Sequence, residues 1–204
     1  ASDVYKRQGQ PVQSYVGGRN GRPLDGATPT SYYLRKHIVE ATSFVTGSEM
    51  SYQHIFPFFR YAEVLLNYAE ALAAATQNPD FTGMKGEVEY TLSPREALNA
   101  VRARYNMPGI TETDYAAFVK RLRNERRVEL AFEGHRFWDI RRWKIGAETT
   151  KVYGLTITPQ NDGSFSYVRS VIQQRGWDDR MNFYPIADAE LFKNHNLVQN
   201  DGWK

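Results

Sequence analysis

Between Tyr61 and Ala75 the apolar residues recur every three or four positions, and that period belongs to a helix. Tyr61, Leu65, Tyr68, Leu72 and Ala75 line one face. Ala62, Leu66, Ala69 and Ala73 form a second stripe beside it, while Glu63, Asn67 and Glu70 fall opposite. Two adjoining stripes predict a helix packed from two sides. The alanines let a neighbouring helix approach closely. Pro57 precedes this helix, and Asn78-Pro79-Asp80 ends it.

A second helix follows from local chemistry. Ser93-Pro94-Arg95-Glu96 has the form of a capping box with proline at the first helical position. Leu98, Val101 and Tyr105 supply its buried face, and Met107-Pro108-Gly109 stops it. A third helix is predicted from Thr113-Asp114 past Phe132. After Gly134 a shorter helical stretch runs from His135 to Lys144. Beyond Gly146 the period changes to that of strands. Val152 to Thr158 and Ser164 to Ile172 flank Asn161-Asp162-Gly163, which reads as a hairpin. Phe183-Tyr184-Pro185-Ile186 is extended, and Asp188 opens a short helix through Phe192. Residues 9–56 hold many glycines and prolines and read as loops with short extended pieces. The first eight residues lack any period and are read as a non-native leader.

Composition narrows the function classes. At 204 residues the chain is long enough for a sizeable core. The net charge of +3 is a small excess of interleaved cations, without the patch that nucleic-acid binding demands. With no cysteine, disulfides, thiolate metal sites and cysteine nucleophiles are excluded from this stretch. No apolar run approaches the length of a membrane-spanning helix. The 28 aromatics, 14% of the chain, are the unusual share. Tyr61, Tyr68, Tyr105, Phe118, Phe132, Phe137, Trp138 and Trp143 are expected on packed helix faces.

The densest chemistry lies between Glu125 and Trp143. On a helical wheel Glu125 and Glu129 fall in the arc shared by Phe118, Leu122 and Phe132. Two carboxylates one turn apart on an apolar face admit a general acid/base pair, as a helical glycosidase would use. They equally admit a buried ionic network. Arg126, Arg127, Arg136, Arg141 and Arg142 lie close in sequence, and guanidinium groups lower carboxylate pKa values. The network is the expected outcome, with Glu125, Glu129, Arg126, Arg136, Arg141 and Arg142 as its members.

His37, His54, His135 and His195 show no metal-pair spacing, and no phosphate-loop, dinucleotide or nucleophile-elbow motif occurs. Neither a metal nor a cofactor is expected. Tyr15, Arg19 and Asn20, in the glycine-rich loop around Gly17-Gly18, are the candidate ligand contacts. Trp177 and Trp203 are expected to be packing anchors.

Three blocks carry a family resemblance. Phe59-Arg60-Tyr61-Ala62-Glu63-Val64-Leu65-Leu66-Asn67-Tyr68-Ala69-Glu70-Ala71 resembles the first signature of the SusD/RagB family. Glu125 through Trp143 is similar to the second, and Tyr184-Pro185-Ile186 through Asn196-Leu197-Val198-Gln199-Asn200-Asp201-Gly202-Trp203 to the C-terminal end. They stand in family order and span roughly Tyr32 to Trp203. The resemblance implies a mainly α fold, a tetratricopeptide-like helical scaffold with long loops and a small β-hairpin. Residues 57–204 would form a C-terminal helical domain. Tyr61 to Gln77 and Pro94 to Tyr105 would form one helix pair, separated by an unusually long gap.

It also implies a non-catalytic lipoprotein on the outer-membrane surface of Bacteroidetes-type bacteria, active in polysaccharide utilization. Such a protein binds an oligosaccharide or peptide nutrient and delivers it to a SusC-type TonB-dependent transporter. Family members are longer, so the chain is expected to be a C-terminal portion, with the lipid-bearing terminus upstream. Two other readings compete: a helical glycoside hydrolase using Glu125 and Glu129, and a generic tetratricopeptide scaffold binding peptides.

Overall fold

A computed structural model describes residues 6–7 and 10–203, apart from 26, 40 and 44. Most of the expected leader, and Phe44, lie outside the described residues. The elements, in chain order, are β1 (Lys6–Arg7), β2 (Gln10–Pro11), α1 (Tyr61–Thr76), β3 (Gly83–Lys85), β4 (Val88–Tyr90), α2 (Pro94–Ala103), α3 (Tyr115–Glu129), α4 (His135–Arg142), β5 (Lys151–Pro159), β6 (Phe165–Gln174) and α5 (Asp188–Lys193). Short 3₁₀ turns occupy Gly146–Thr149 and Asp179–Asn182. The fold is mainly helical, with small two-stranded hairpins, as expected. The chain divides into two compact units, Pro57–Trp138 and Ala1–Phe56 with Asp139–Lys204.

In the unit Pro57–Trp138, α1 packs on α2 and α3. The core is Ala62, Leu65, Leu66, Ala69 and Ala73 of α1 against Ala97, Leu98 and Val101 of α2, with Phe118 and Leu122 of α3. The alanine stripe therefore faces inward, where small side chains admit the neighbouring helices. The opposite side of α1 is packed in part: Glu63 is buried, Glu70 half-buried and Asn67 exposed. Glu63 is buried with its Oε2 3.4 Å from His135 Nε2, and Asn67 Oδ1 accepts from Arg126 Nη1 at 2.6 Å. Helical period marks apolar faces but cannot see polar groups buried in pairs.

The capping box forms: Ser93 Oγ accepts from Glu96 N, and Glu96 Oε2 accepts from Ser93 N at 2.8 Å. Asp114 caps α3, accepting from Ala117 N at 2.8 Å. The helix ends at Glu129, earlier than predicted, because Phe132 has a left-handed φ of 64° and breaks the ladder. The long gap before α2 holds the β3–β4 hairpin, closed by Gly86-Glu87. Runs of three residues were too short to show a strand period.

The aromatic expectation needs correction. Phe118 is fully buried and Tyr68 packs against the core, its hydroxyl donating to Leu92 O. Tyr61 is 74% exposed and Phe132 66%, and Tyr105, Phe137 and Trp138 are also exposed. Tyr61 sits at the first helical turn and Phe132 in a turn, beyond the reach of the helix–helix contact.

In the other unit, β5 and β6 form a long antiparallel hairpin with a bulge between Val152 and Tyr153. One edge of β5 is covered by the N-terminal loops: Val16 N donates to Ile157 O, Leu155 N to Thr30 O, and Ser31 Oγ to Leu155 O. These bonds draw the two ends of the chain into one unit. Trp177 lies against Gly146 and under the Arg141 guanidinium. Trp203 Nε1 donates to the carbonyls of Arg180 and Phe183. Asp188 begins α5, whose N-cap is Ala187.

Candidate functional site

The glycine-rich loop is built by main-chain bonds. Gly18 N donates to Tyr15 O, Gly17 N to Arg22 O and Asn20 N to Gln13 O. Gly21 is required there, since a Cβ would meet Tyr15 O at 1.8 Å. The three candidate contacts separate by role. Asn20 is buried, and its Oδ1 accepts from Gln13 N at 3.2 Å, closing the loop on itself. Its carbonyl accepts from the Tyr33 hydroxyl. Tyr15 is half-buried, its ring 5.2 Å from that of Phe165 on β6. Arg19 is exposed at the loop surface. The loop thus holds an exposed guanidinium, Arg19, and an aromatic ring, Tyr15, braced on Phe165.

The carboxylates of α3 have other company. Glu125 Oε2 accepts from Arg102 Nη1 at 2.5 Å. Glu129 Oε1 accepts from Arg60 Nη1 at 2.8 Å, and Arg60 Nε donates to Glu133 Oε2 at 2.7 Å. The hydrogen bond to Glu133 is the main force raising the Arg60 pKa; burial opposes it, and Glu129 adds to it. Two members of the expected network find partners outside the Glu125–Trp143 stretch. Glu125 and Glu129 meet Arg102 and Arg60, which come from other segments. Arg126 holds Asn67. Arg142 Nε bonds Asp139 at 2.8 Å, and Arg141 lies over the rings of Trp177 and Tyr184. Arg136 is half-buried in the first turn of α4. Arg102 and Arg60 stand 23 and 69 positions from their glutamates, so tertiary packing chose these two partners.

A cavity of about 480 Å³ opens between the Asp179–Asn182 turn and the C-terminal loop. Lys144, Asp178, Asp179, Arg180, Asn182, Phe183, Asp201 and Gly202 line it. Donors, acceptors and one ring together suit a hydroxyl-rich ligand. The sequence reading passed over it. Its lining comes from three separate loops, and the one visible signal was the density of Asp and Asn near the C-terminus.

The sequence profile described as the SusD family matches residues 2–203. SusD-like protein P2 of Formosa agariphila is 33% identical over 146 residues, which is 70% of this chain and 24% of that protein. The crystal structure of a SusD-like carbohydrate binding protein from Bacteroides fragilis is 32% identical, with a TM-score of 0.58, over 84% of this chain and 34% of that one. A second SusD-like protein from the same species is 34% identical, with a TM-score of 0.57, over 74% and 26%. The chain thus spans between a quarter and about a third of the length of these relatives.

Proposed function

The chain belongs to the SusD family, and on that premise we propose that it is part of a cell-surface protein that binds glycans. In this reading the ligand passes to a SusC-type TonB-dependent transporter in the outer membrane. The match across residues 2–203 carries the proposal. The description of the Bacteroides fragilis relative as a carbohydrate binding protein supports the ligand class.

The reading is non-catalytic. A glycosidase needs one carboxylic acid free to hand a proton to the glycosidic oxygen and a second free to attack or activate water. Glu125 and Glu129 are each tied to a guanidinium, and that pairing favours an architectural role. Arg19 and Tyr15 are the proposed sugar contacts: a ring against a sugar face and a fork for its hydroxyls. Asn20 keeps the loop in shape.

The test is titration calorimetry of the full-length protein against a panel of oligosaccharides. Arg19→Ala and Tyr15→Ala should each weaken binding about tenfold, the first by losing a charge-assisted bond and the second by losing the ring's contact with the sugar face. Loss with Asp201→Ala instead would move the ligand to the C-terminal cavity. Glycan hydrolysis abolished by Glu125→Gln would overturn the non-catalytic reading. Co-purification with a TonB-dependent transporter tests the delivery step.

A further inference from the structure

The loop that carries Tyr15 and Arg19 is held differently at its two ends. The Tyr15 end is fastened to the long hairpin. Val16 N donates to Ile157 O on β5, and the Tyr15 ring lies against Phe165 of β6. The Arg19 end hangs on a single bond. Among the described residues, the hydrogen bonds of residues 18–21 stay within residues 13–24 apart from one. That one comes from Tyr33, 13 positions along the chain, whose hydroxyl donates to Asn20 O.

Asn20 is the residue at which such a bond has most leverage. It follows Arg19 directly and is buried. Its N–H and its Oδ1 are both used inside the loop, on Gln13 O and Gln13 N. Its carbonyl is the group held from outside. A buried carbonyl without a donor is costly, so the Tyr33 hydroxyl favours the conformer with Asn20 turned in and Arg19 turned out. We propose that Tyr33 is the positioning residue for the Arg19 contact. The proposal rests on the glycan reading above. Tyr33 acts through the backbone of Asn20 and not by touching the sugar. A loop already in its binding conformer loses no affinity to ordering. The two proposed contacts are then set independently: the hairpin sets Tyr15, and Tyr33 sets Arg19.

Tyr33→Phe removes only the hydroxyl and keeps the ring, so the variant should fold, and circular dichroism checks this. Hydrogen exchange of the full-length protein without ligand tests the positioning by itself. Tyr33→Phe should speed exchange across residues 17–22 about three- to tenfold, the loss of one net hydrogen bond. Tyr32→Phe, at the neighbouring and more exposed ring, should leave it unchanged. Calorimetry with maltohexaose, xylohexaose and laminarihexaose tests the link to Arg19. Tyr33→Phe should weaken binding about three- to tenfold, both in the otherwise unchanged protein and beside Tyr15→Ala. Beside Arg19→Ala it should have no further effect, because the contact it positions is gone. Unchanged exchange in Tyr33→Phe overturns the proposal whatever the ligand. So does a loss of affinity that adds equally to Arg19→Ala and to Tyr15→Ala. If none of the three sugars binds, the glycan reading is what fails, and the exchange result alone decides the role of Tyr33.

Discussion

Arg60 stands just before α1 and answers three acceptors: the carboxylates of Glu129 and Glu133 and the Glu129 carbonyl, the last at 2.9 Å. That carbonyl belongs to the last residue of α3, where helices leave acceptors unmet. One fork thus ties the entry of α1 to the exit of α3. The fork is largely sheltered, so Arg60→Met should cost about 3 kcal/mol in urea unfolding. Arg60→Lys should lose part of this, since an ammonium cannot reproduce the planar geometry. Arg121, on an exposed pair with Glu112, is the control and should change nothing measurable when replaced by Met. Gly146 tests the other unit. A Cβ there would meet the Trp177 ring at 1.9 Å, so Gly146→Ala should destabilise by about 1–3 kcal/mol, with a shift in tryptophan emission.

At the scale of elements, α2 owes its start to Ser93 and Glu96. Ser93→Ala should cost about 1 kcal/mol in thermal unfolding. The same box has a pH signature. The Ser93 N–H, then its hydroxyl, holds the Glu96 carboxyl below its ordinary value. A carboxylate lowered by folding stabilises above the unfolded pKa of 4.5, and that contribution disappears as pH falls through the lower, folded value. Glu96→Gln should flatten that part of the acid limb of the stability curve. A steeper acid limb in the variant would contradict the assignment. The turn between α3 and α4 stores strain at Phe132, whose side chain is exposed. Phe132→Gly should raise stability by about 1 kcal/mol in the same assay. This turn also shows why helix length was overestimated: Leu130, Ala131 and Phe132 all suit a helix, and only the backbone reversal reveals the stop.

For the whole molecule, the separation into two units makes a distinct prediction. Leu98 is fully buried among α1, α2 and α3, so Leu98→Ala should cost about 3 kcal/mol. The proposed sugar contacts lie in the other unit, so calorimetry on the folded variant should find the affinity for glycan unchanged.

The sequence by itself determined the helices, the caps and the long hairpin, because period, capping residues and turn residues act within a few positions of each other. Tyr61–Thr76, Ser93–Glu96 and Asn161-Asp162-Gly163 are all of that kind. It also carried the family, whose signatures are local strings. The tertiary structure alone decided the partners. Arg60 reaches Glu129 across 69 positions, and Asn20 turns inward while Arg19, its neighbour, stays out. Which arginine a buried carboxylate finds, and which aromatic stays wet, depends on how helices and loops meet in space. No short stretch of sequence contains that information.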